Sequence, residues 1–271
     1  PRGASLTQRG PIPVELVAGL ARELAAWDDS LIVLGGFGDP LCHPEFTQII
    51  HAIRQARPGI YGLCVRTTAG RLNEAHVTAL VDGSVDIVQI ALDAWTPELY
   101  GRLMAPDDPK QADLASVREN IQRLSAYRQA QRSVCPILLP DMTKAVQNCA
   151  ELDDFHDGWL REAGAVTISG PSHYARQWED YRVTSVAPPE RMGCRRIQSR
   201  AMVLADGTLL MCDQDFVSKQ PVGILSVPAQ GGPSLAELWQ SDKFRALRQA
   251  HTHGEFSVNA LCEACEEWHR P

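Results

Sequence analysis

The chain has 271 residues, of which 44% are hydrophobic and 22% are charged, and its formal net charge is −7 with histidine counted as neutral. This length allows one large domain with a small appendage, and the acidic balance disfavours broad binding to nucleic-acid phosphates, which needs a basic face. No apolar run approaches the ~20 residues of a membrane span, and no secretory signal is recognisable. These properties predict a cytoplasmic protein that binds neither nucleic acid nor membranes.

Short apolar strands alternate with amphipathic helices over the first 170 residues. The predicted helices are 14–27, a segment that follows Pro44, 73–82, a helix that begins at Thr96, 112–130 and 149–163. The five predicted strands are 31–34, 60–65, 87–92, 134–139 and 166–168. This alternation predicts an α/β fold with a parallel sheet, as in a barrel or partial barrel whose ligand residues lie at the carboxyl ends of the strands.

Three of the predicted strands end in segments that suit a ligand. Residues 35–40 read G-G-F-G-D-P, Thr67 to Gly70 form a polar turn, and Asp93 closes a buried strand. Glycines allow a ligand to approach the backbone, and acids accept hydrogen bonds from amines and hydroxyls. No helix opens on G-x-G-x-x-G, so phosphate binding of the dinucleotide type is not expected.

The last quarter of the chain carries two pairs of cysteines. They are Cys194, Cys212, Cys262 and Cys265. The first pair flanks a predicted hairpin of strands 202–204 and 209–210 around the turn Asp206-Gly207, and the second pair forms C-x-x-C. Four thiols at this spacing suit either a structural zinc ion or an iron–sulfur cluster, and the spacing does not distinguish them.

The remaining features are less specific. Residues 171–193 are polar and predict a connection, and Ser234 to Glu237 predict a capping box at a helix start. The sequence His251-Thr252-His253 predicts a solvated helix end. The other four cysteines are interpreted as core or incidental residues; they are Cys42, Cys64, Cys135 and Cys149.

Taken in order, these motifs resemble radical SAM enzymes that carry a C-terminal SPASM domain. G-G-F-G-D-P resembles the family segment G-G-x-E-P, R-T-T-A-G-R-L resembles T-N-G-x-x-L, and V-Q-I-A-L-D-A resembles V-x-I-S-L-D-G. The arrangement C-x12-G-x4-C followed by C-x-x-C resembles the SPASM domain. The resemblance implies a partial (β/α) TIM-type barrel over residues 1–175 and a small cysteine-rich SPASM domain over residues 190–271.

The resemblance also implies the cofactors and the residues that bind them. Residues expected to bind S-adenosylmethionine (SAM) are Gly36, Phe37, Gly38, Asp39, Thr68 and Asp93. The two cysteine pairs are expected to hold an auxiliary [4Fe-4S] cluster. Asp213 matches the catalytic aspartate of sulfatase-maturing members and Asp215 matches a common acidic position, so either is a candidate base.

The family motif C-x3-C-x2-C, which binds the cluster that cleaves SAM, does not occur in the sequence. It would lie just before Pro1, so we expect a longer chain whose N-terminal segment holds the first strand and a second [4Fe-4S] cluster. We expect the present chain alone to be inactive. The alternative is a protein that has lost the radical-generating cluster.

The implied activity is that of an oxidoreductase or maturase. It would use SAM and iron–sulfur clusters to abstract hydrogen from, and oxidise or modify, a peptide or small-molecule substrate. A flavodoxin- or ferredoxin-type protein would donate electrons. Two alternatives stay open at this point: a non-catalytic iron–sulfur protein and a zinc-stapled α/β protein.

Overall fold

The computed structural model describes residues 9–27, 29–56, 60–104, 113–184, 187–227 and 231–270. Pro1, to which the expectation of a longer chain refers, lies outside these residues. Contacts divide the chain into two compact units at Gly170 and Pro171, and the second unit also takes in the described residues up to Gly19. In the described ranges, no helix has both the length and the apolarity needed to cross a membrane.

The first unit is built on a five-stranded parallel sheet whose strand order follows the chain. Its strands are β1 (Ser30–Leu34), β2 (Ile60–Thr67), β3 (Ile87–Ala91), β4 (Ile137–Thr143) and β5 (Thr167–Ser169). The helices up to Gly170 are α1 (Val14–Leu24), which begins in the part of the chain assigned to the second unit, α2 (Phe46–Ala56), α3 (Glu74–Asp82), α4 (Pro97–Met104), α5 (Leu114–Ala130) and α6 (Leu152–Ala163). The predicted α/β fold, a partial barrel of parallel strands, is therefore confirmed.

Helix faces and strand faces pack together because their apolar residues recur at matching periods. In α2 the buried residues follow helical spacing, and the same holds for Phe155 and Trp159 in α6. In β3 the side chains of Val88 and Ile90 are buried, while Gln89 and Ala91 lie on the opposite face. Full burial of each large apolar side chain stabilises the fold by about 1.5–3 kcal/mol before entropy is counted.

Strand β4 begins three residues and ends four residues further along the chain than predicted. Residues 134–139 were expected, but the ladder begins at Ile137, which pairs with Ile87, and continues to Thr143. Pro136 has no backbone N–H to donate to the ladder, and polar residues follow the apolar run, so the apolar pattern marked the wrong limits. The shift places Asp141 inside the strand.

The second unit contains a three-stranded antiparallel sheet and four short helices. Its strands are β6 (Met202–Val203), β7 (Thr208–Leu210) and β8 (Pro221–Ile224), and its helices are α7 (Arg196–Ser199), α8 (Leu235–Trp239), α9 (Asp242–Thr252) and α10 (Ala260–Ala264). The predicted hairpin is confirmed, with Met202 opposite Leu210, and β8 is a third strand that was not predicted. Gly207 in the turn has φ +83°, and a Cβ there would lie 2.3 Å from the carbonyl oxygen of Leu225.

The core of the second unit joins the sheet, α9 and the C-terminal segment. It is formed by Cys194, Ile197, Leu209, Met211, Phe244, Leu247, Cys262 and Trp268. The predicted capping box is confirmed, since Ser234 and Glu237 bond to each other's backbone N–H at the start of α8. Two of the four paired cysteines thus belong to this core.

Candidate cofactor sites at the strand ends and at four cysteines

The carboxylate of Asp39 joins the glycine-rich turn after β1 to the polar turn after β2. It accepts hydrogen bonds from Thr67 Oγ1, Thr68 N–H and Thr68 Oγ1, each at 2.9 Å. It also accepts from Leu41 N–H at 3.0 Å and so caps a short 3₁₀ turn. The structure therefore brings together Asp39 and Thr68, two of the residues expected to bind SAM.

These four donors match the acceptor capacity of one carboxylate, which has about four lone-pair sites. In this geometry Asp39 orders the two turns. Whether the adjacent glycine backbone contacts SAM stays a prediction. Gly35 and Gly36 have φ of +145° and +120°, and a Cβ on Gly35 would lie 2.7 Å from Arg66 Cβ. The glycines thus allow the turn to lie directly against β2, as a backbone binding site requires.

Asp93 sits in the left-handed region, with φ +55°, directly after β3. Its Oδ1 accepts the N–H of Thr143 at 2.7 Å, and its carbonyl accepts from Asn148 Nδ2 at 2.9 Å. Asp93 therefore ties the ends of β3 and β4 together. Its contact with a SAM ribose stays a prediction.

Asp141 is a buried carboxylate that sequence reasoning missed. It is 7% exposed, it pairs with Ala91 in the ladder, and its Oδ1 has no hydrogen-bond partner among the described residues. Burial, and then the neighbouring Asp93 charge, raise the pKa of Asp141 to about 6. A buried acid with a raised pKa, near the carboxyl end of a strand and beside Asp93, is a candidate functional group. The signal was available, because Asp141 follows an apolar run just as Asp93 does.

In the second unit, all four paired cysteines line one small cavity. The residues that complete its wall are Arg191, Ile197, Gln214, His251, Leu261 and Trp268. Local structure explains the convergence: Cys194 precedes α7, Cys212 follows β7, and Cys262 and Cys265 lie in and at the end of α10. The two pairs therefore lie around one cavity, and their role as cluster ligands stays a prediction.

Backbone donors and burial shape the chemistry of these thiols. Gln214 N–H donates to Cys212 Sγ at 3.5 Å, and Glu267 N–H donates to Cys265 Sγ at 3.3 Å. Burial raises the pKa of the thiols of Cys212, Cys262 and Cys265, and proximity to the Cys194 thiol adds to each shift. Iron bound by these sulfurs would replace their protons, so the buried thiolates would no longer carry uncompensated negative charge.

The donor set fits a [4Fe-4S] cluster. Such a cluster takes four cysteine thiolates, one on each iron, and its potential responds to hydrogen bonds that reach the sulfurs. The cavity supplies four thiols, largely apolar walls and two backbone N–H donors. Within the described ranges, no three His, Cys, Asp or Glu side chains are grouped so as to hold a single metal ion.

His251 lies in the wall of this cavity, so the prediction of a solvated position is wrong for it. Its side chain is buried with 4% exposure, whereas His253 is exposed. Nδ1 of His251 accepts the backbone N–H of Cys194 at 3.2 Å. Burial lowers the pKa of His251, and the Arg191 charge lowers it further. The helical spacing from Phe244 and Leu247 in α9 would have indicated a buried position.

The two candidate bases have different surroundings. Asp215 is fully buried and accepts backbone N–H groups of Lys219 at 2.9 Å and Gln220 at 2.6 Å. Asp213 has a side chain 30% exposed, paired with Arg196 at 3.0 Å, and the Cys212 thiol contacts its Oδ1 at 3.3 Å. Asp215 organises the loop after Cys212, and Asp213 is the acid beside the cysteine cavity that solvent reaches.

Comparison with known proteins bears on both units. The radical SAM superfamily matches residues 5–151, and the SPASM iron–sulfur cluster-binding domain matches residues 194–266. An uncharacterized protein of Treponema pallidum (strain Nichols) is 21% identical over 268 residues, which are 95% of this chain and 70% of that protein. The GTP 3',8-cyclase of Chlorobaculum tepidum is 33% identical over 78 residues, which are 29% of this chain and 23% of that enzyme.

Two solved structures share the fold. BtrN in complex with AdoMet and 2-DOIA superposes with a TM-score of 0.58 at 15% identity, over 98% of this chain and 88% of BtrN. SuiB of Streptococcus suis bound to the precursor peptide SuiA superposes with a TM-score of 0.62 at 14% identity, over 96% of this chain and 65% of SuiB. The predicted cofactors, SAM and [4Fe-4S] clusters, are those of the two matched families. The chain belongs to the radical SAM superfamily and carries a C-terminal SPASM domain.

Proposed function

We propose that this chain forms part of an enzyme that abstracts hydrogen from a peptide or small-molecule substrate and oxidises or otherwise modifies it. One observation carries the proposal: the four cysteines of the SPASM region line a single cavity, in a chain whose residues 5–151 match the radical SAM superfamily. When bound, SAM and reduced iron–sulfur clusters supply one-electron chemistry that can remove hydrogen from unactivated carbon.

The residues of the first unit bind and orient SAM in this proposal. The backbone of Gly36, Phe37 and Gly38 meets its amino-acid portion, and Asp39 holds that turn in place through its bonds to Thr68. Asp93 accepts a hydrogen bond from a ribose hydroxyl. Preorganised turns of this kind reduce the entropy lost when a ligand is positioned.

The residues of the second unit hold the auxiliary cluster and receive the substrate proton. Cys194, Cys212, Cys262 and Cys265 would be the four ligands of the cluster. Asp213 would accept the proton, and Arg196 holds its carboxylate in place. We prefer Asp213 to Asp215 because the carboxylate of Asp215 is buried and already bonded to two backbone N–H groups.

The candidate substrates of the proposed reaction are suggested by the molecules bound in the structural relatives. SuiB was solved with a precursor peptide and BtrN with 2-DOIA, so a peptide and a small molecule are both candidate substrates. We propose a flavodoxin- or ferredoxin-type protein as the electron donor.

The first experiment measures iron, sulfide and zinc in the anaerobically purified chain, together with its visible spectrum. About four irons and four sulfides per chain, with absorbance near roughly 400 nm, are expected from four cysteine ligands. Cys262→Ser should lose the iron, and Cys149→Ser, an exposed cysteine of the other unit, should retain it. Stoichiometric zinc without visible absorbance would overturn the proposal in favour of a zinc-stapled protein.

A second experiment measures SAM binding by equilibrium dialysis. Gly36→Ala introduces a side chain at φ +120° and should weaken binding at least tenfold through backbone strain. Gly101→Ala in α4 is the matched control, because no described atom beyond its chain neighbours and its own helix backbone lies within 4 Å of the position of its Cβ. Equal affinity of both variants would contradict the proposed backbone site.

A further inference from the structure

The contact between Cys194 and His251 fixes the chemical form of the histidine ring. Cys194 is 7% exposed and His251 is 4% exposed, and the Cys194 N–H donates to Nδ1 of His251 at 3.2 Å. A ring nitrogen that accepts a hydrogen bond carries no proton. The neutral ring therefore carries its proton on Nε2.

Nε2 of His251 is a donor in need of an acceptor. It is buried, and it has no hydrogen-bond partner within the described residues. Leaving a buried donor unpaired costs about 1–3 kcal/mol, so such groups usually have a function or a ligand. The same side chain lines the cavity that the four cysteines share. An acceptor placed in that cavity would satisfy the donor.

We infer that His251 donates its Nε2–H to a sulfur atom of the auxiliary iron–sulfur cluster and raises the reduction potential of that cluster. This inference rests on the proposed function, because it requires the cluster. A hydrogen bond to sulfur favours the more negative, reduced state, since the added electron density strengthens the bond. Nε2 of His251 thus adjusts the reduction potential of the cluster, while Nδ1 positions the backbone of the ligand Cys194.

A purely structural role accounts for the observed contacts of His251 but gives no function to its Nε2 atom. The Nδ1 bond positions the Cys194 backbone, and the ring packs edge-on against Phe256 with centroids 5.1 Å apart. Neither contact uses Nε2. The two nitrogens can therefore be tested separately with variants that retain one function each.

The experiment compares cluster-loaded wild type with three variants at position 251 by dye-mediated redox titration, followed by absorbance and electron paramagnetic resonance. His251→Asn retains an acceptor near the Nδ1 position but has no group at Nε2. His251→Gln retains a donor near the Nε2 position. His251→Phe retains the ring packing and loses both, and His253→Phe on the same helix is the control because His253 is exposed.

His251→Asn and His251→Phe should each lower the equilibrium constant for one-electron reduction about tenfold, equivalent to about 59 mV. His251→Gln should recover most of the shift, and His253→Phe should leave the potential unchanged. Potentials of His251→Asn and His251→Phe equal to wild type, at equal iron content, would overturn the role of Nε2. If wild type binds no iron, it is instead the proposed function that fails.

Discussion

Asp141→Asn is expected to stabilise the chain, and the gain should grow with pH. The folded chain shields this carboxylate from water and places it near Asp93, which raises its pKa from 3.8 to about 6. Between these two values the folded chain binds more protons than the unfolded chain. Stability that is present at low pH is therefore lost as the pH rises through about 6.

The size of the effect follows from the shift. One pKa unit corresponds to about 1.36 kcal/mol, so ionising Asp141 destabilises the folded chain by about 3 kcal/mol at pH 8 and by about 1.5 kcal/mol at pH 5. Asparagine has nearly the same shape and cannot ionise. The variant should gain these amounts, less a constant for altered hydrogen bonds that does not depend on pH.

Urea denaturation at pH 5 and pH 8 tests this reasoning, with Trp95 and Trp159 of the first unit as fluorescence probes. Asp29→Asn, at an exposed position, is the control and should show no pH-dependent difference from wild type. A variant at Asp141 whose difference from wild type is the same at both pH values would refute the reasoning. The reasoning would also be refuted if the stability gain of the variant over wild type were smaller at pH 8 than at pH 5.

Two further predictions concern local geometry. Gly207→Ala should destabilise the second unit by about 2 kcal/mol or more in thermal unfolding, because positive φ is strained and the new Cβ meets the Leu225 carbonyl. Gly254→Ala is the control: it has φ +76° and open space around the position of its Cβ, so it should lower the free energy of unfolding by only about 1 kcal/mol. Equal losses for the two variants would contradict the contact with Leu225. Thr68→Val removes one hydrogen bond to Asp39 and should lower the free energy of unfolding by about 1 kcal/mol and weaken SAM binding. An unchanged urea midpoint and unchanged affinity would speak against the Asp39 bridge.

The strands were predictable from the sequence because they are short apolar runs bounded by turns, a pattern that local chemistry sets. The limits of β4 were not predictable from the sequence. Its second half contains the polar residues Asp141 and Thr143, which belong to the strand because of contacts with residues distant in the chain. A strand face becomes buried or exposed according to what packs on it. A single sequence shows the period of a strand and not its neighbours.

Some features of the candidate sites were likewise predictable from the sequence and others were not. Spacing grouped the four cysteines in two pairs, and the structure places all four around one cavity. The contact between the turns after β1 and β2 was not predicted. The local pattern around His251 and Asp141 was compatible with burial, but the residues that remove each side chain from water are distant in the chain, so neither was identified as part of a site. The motifs also made both Asp213 and Asp215 candidate bases, whereas in the structure the carboxylate of Asp215 already accepts two backbone hydrogen bonds.

The spacing of the cysteine ligands has a mechanical consequence for the second unit. Cys212 and Cys262 are 50 residues apart in sequence, yet both line one cavity. A cluster bound to both closes that loop as a covalent cross-link does, and a loop of this length restricts the unfolded chain by about 4 kcal/mol in the disulfide entropy model. Loss of the cluster by oxidation would release that restraint, so oxidative damage would lower the resistance of this unit to proteolysis as well as its redox capacity.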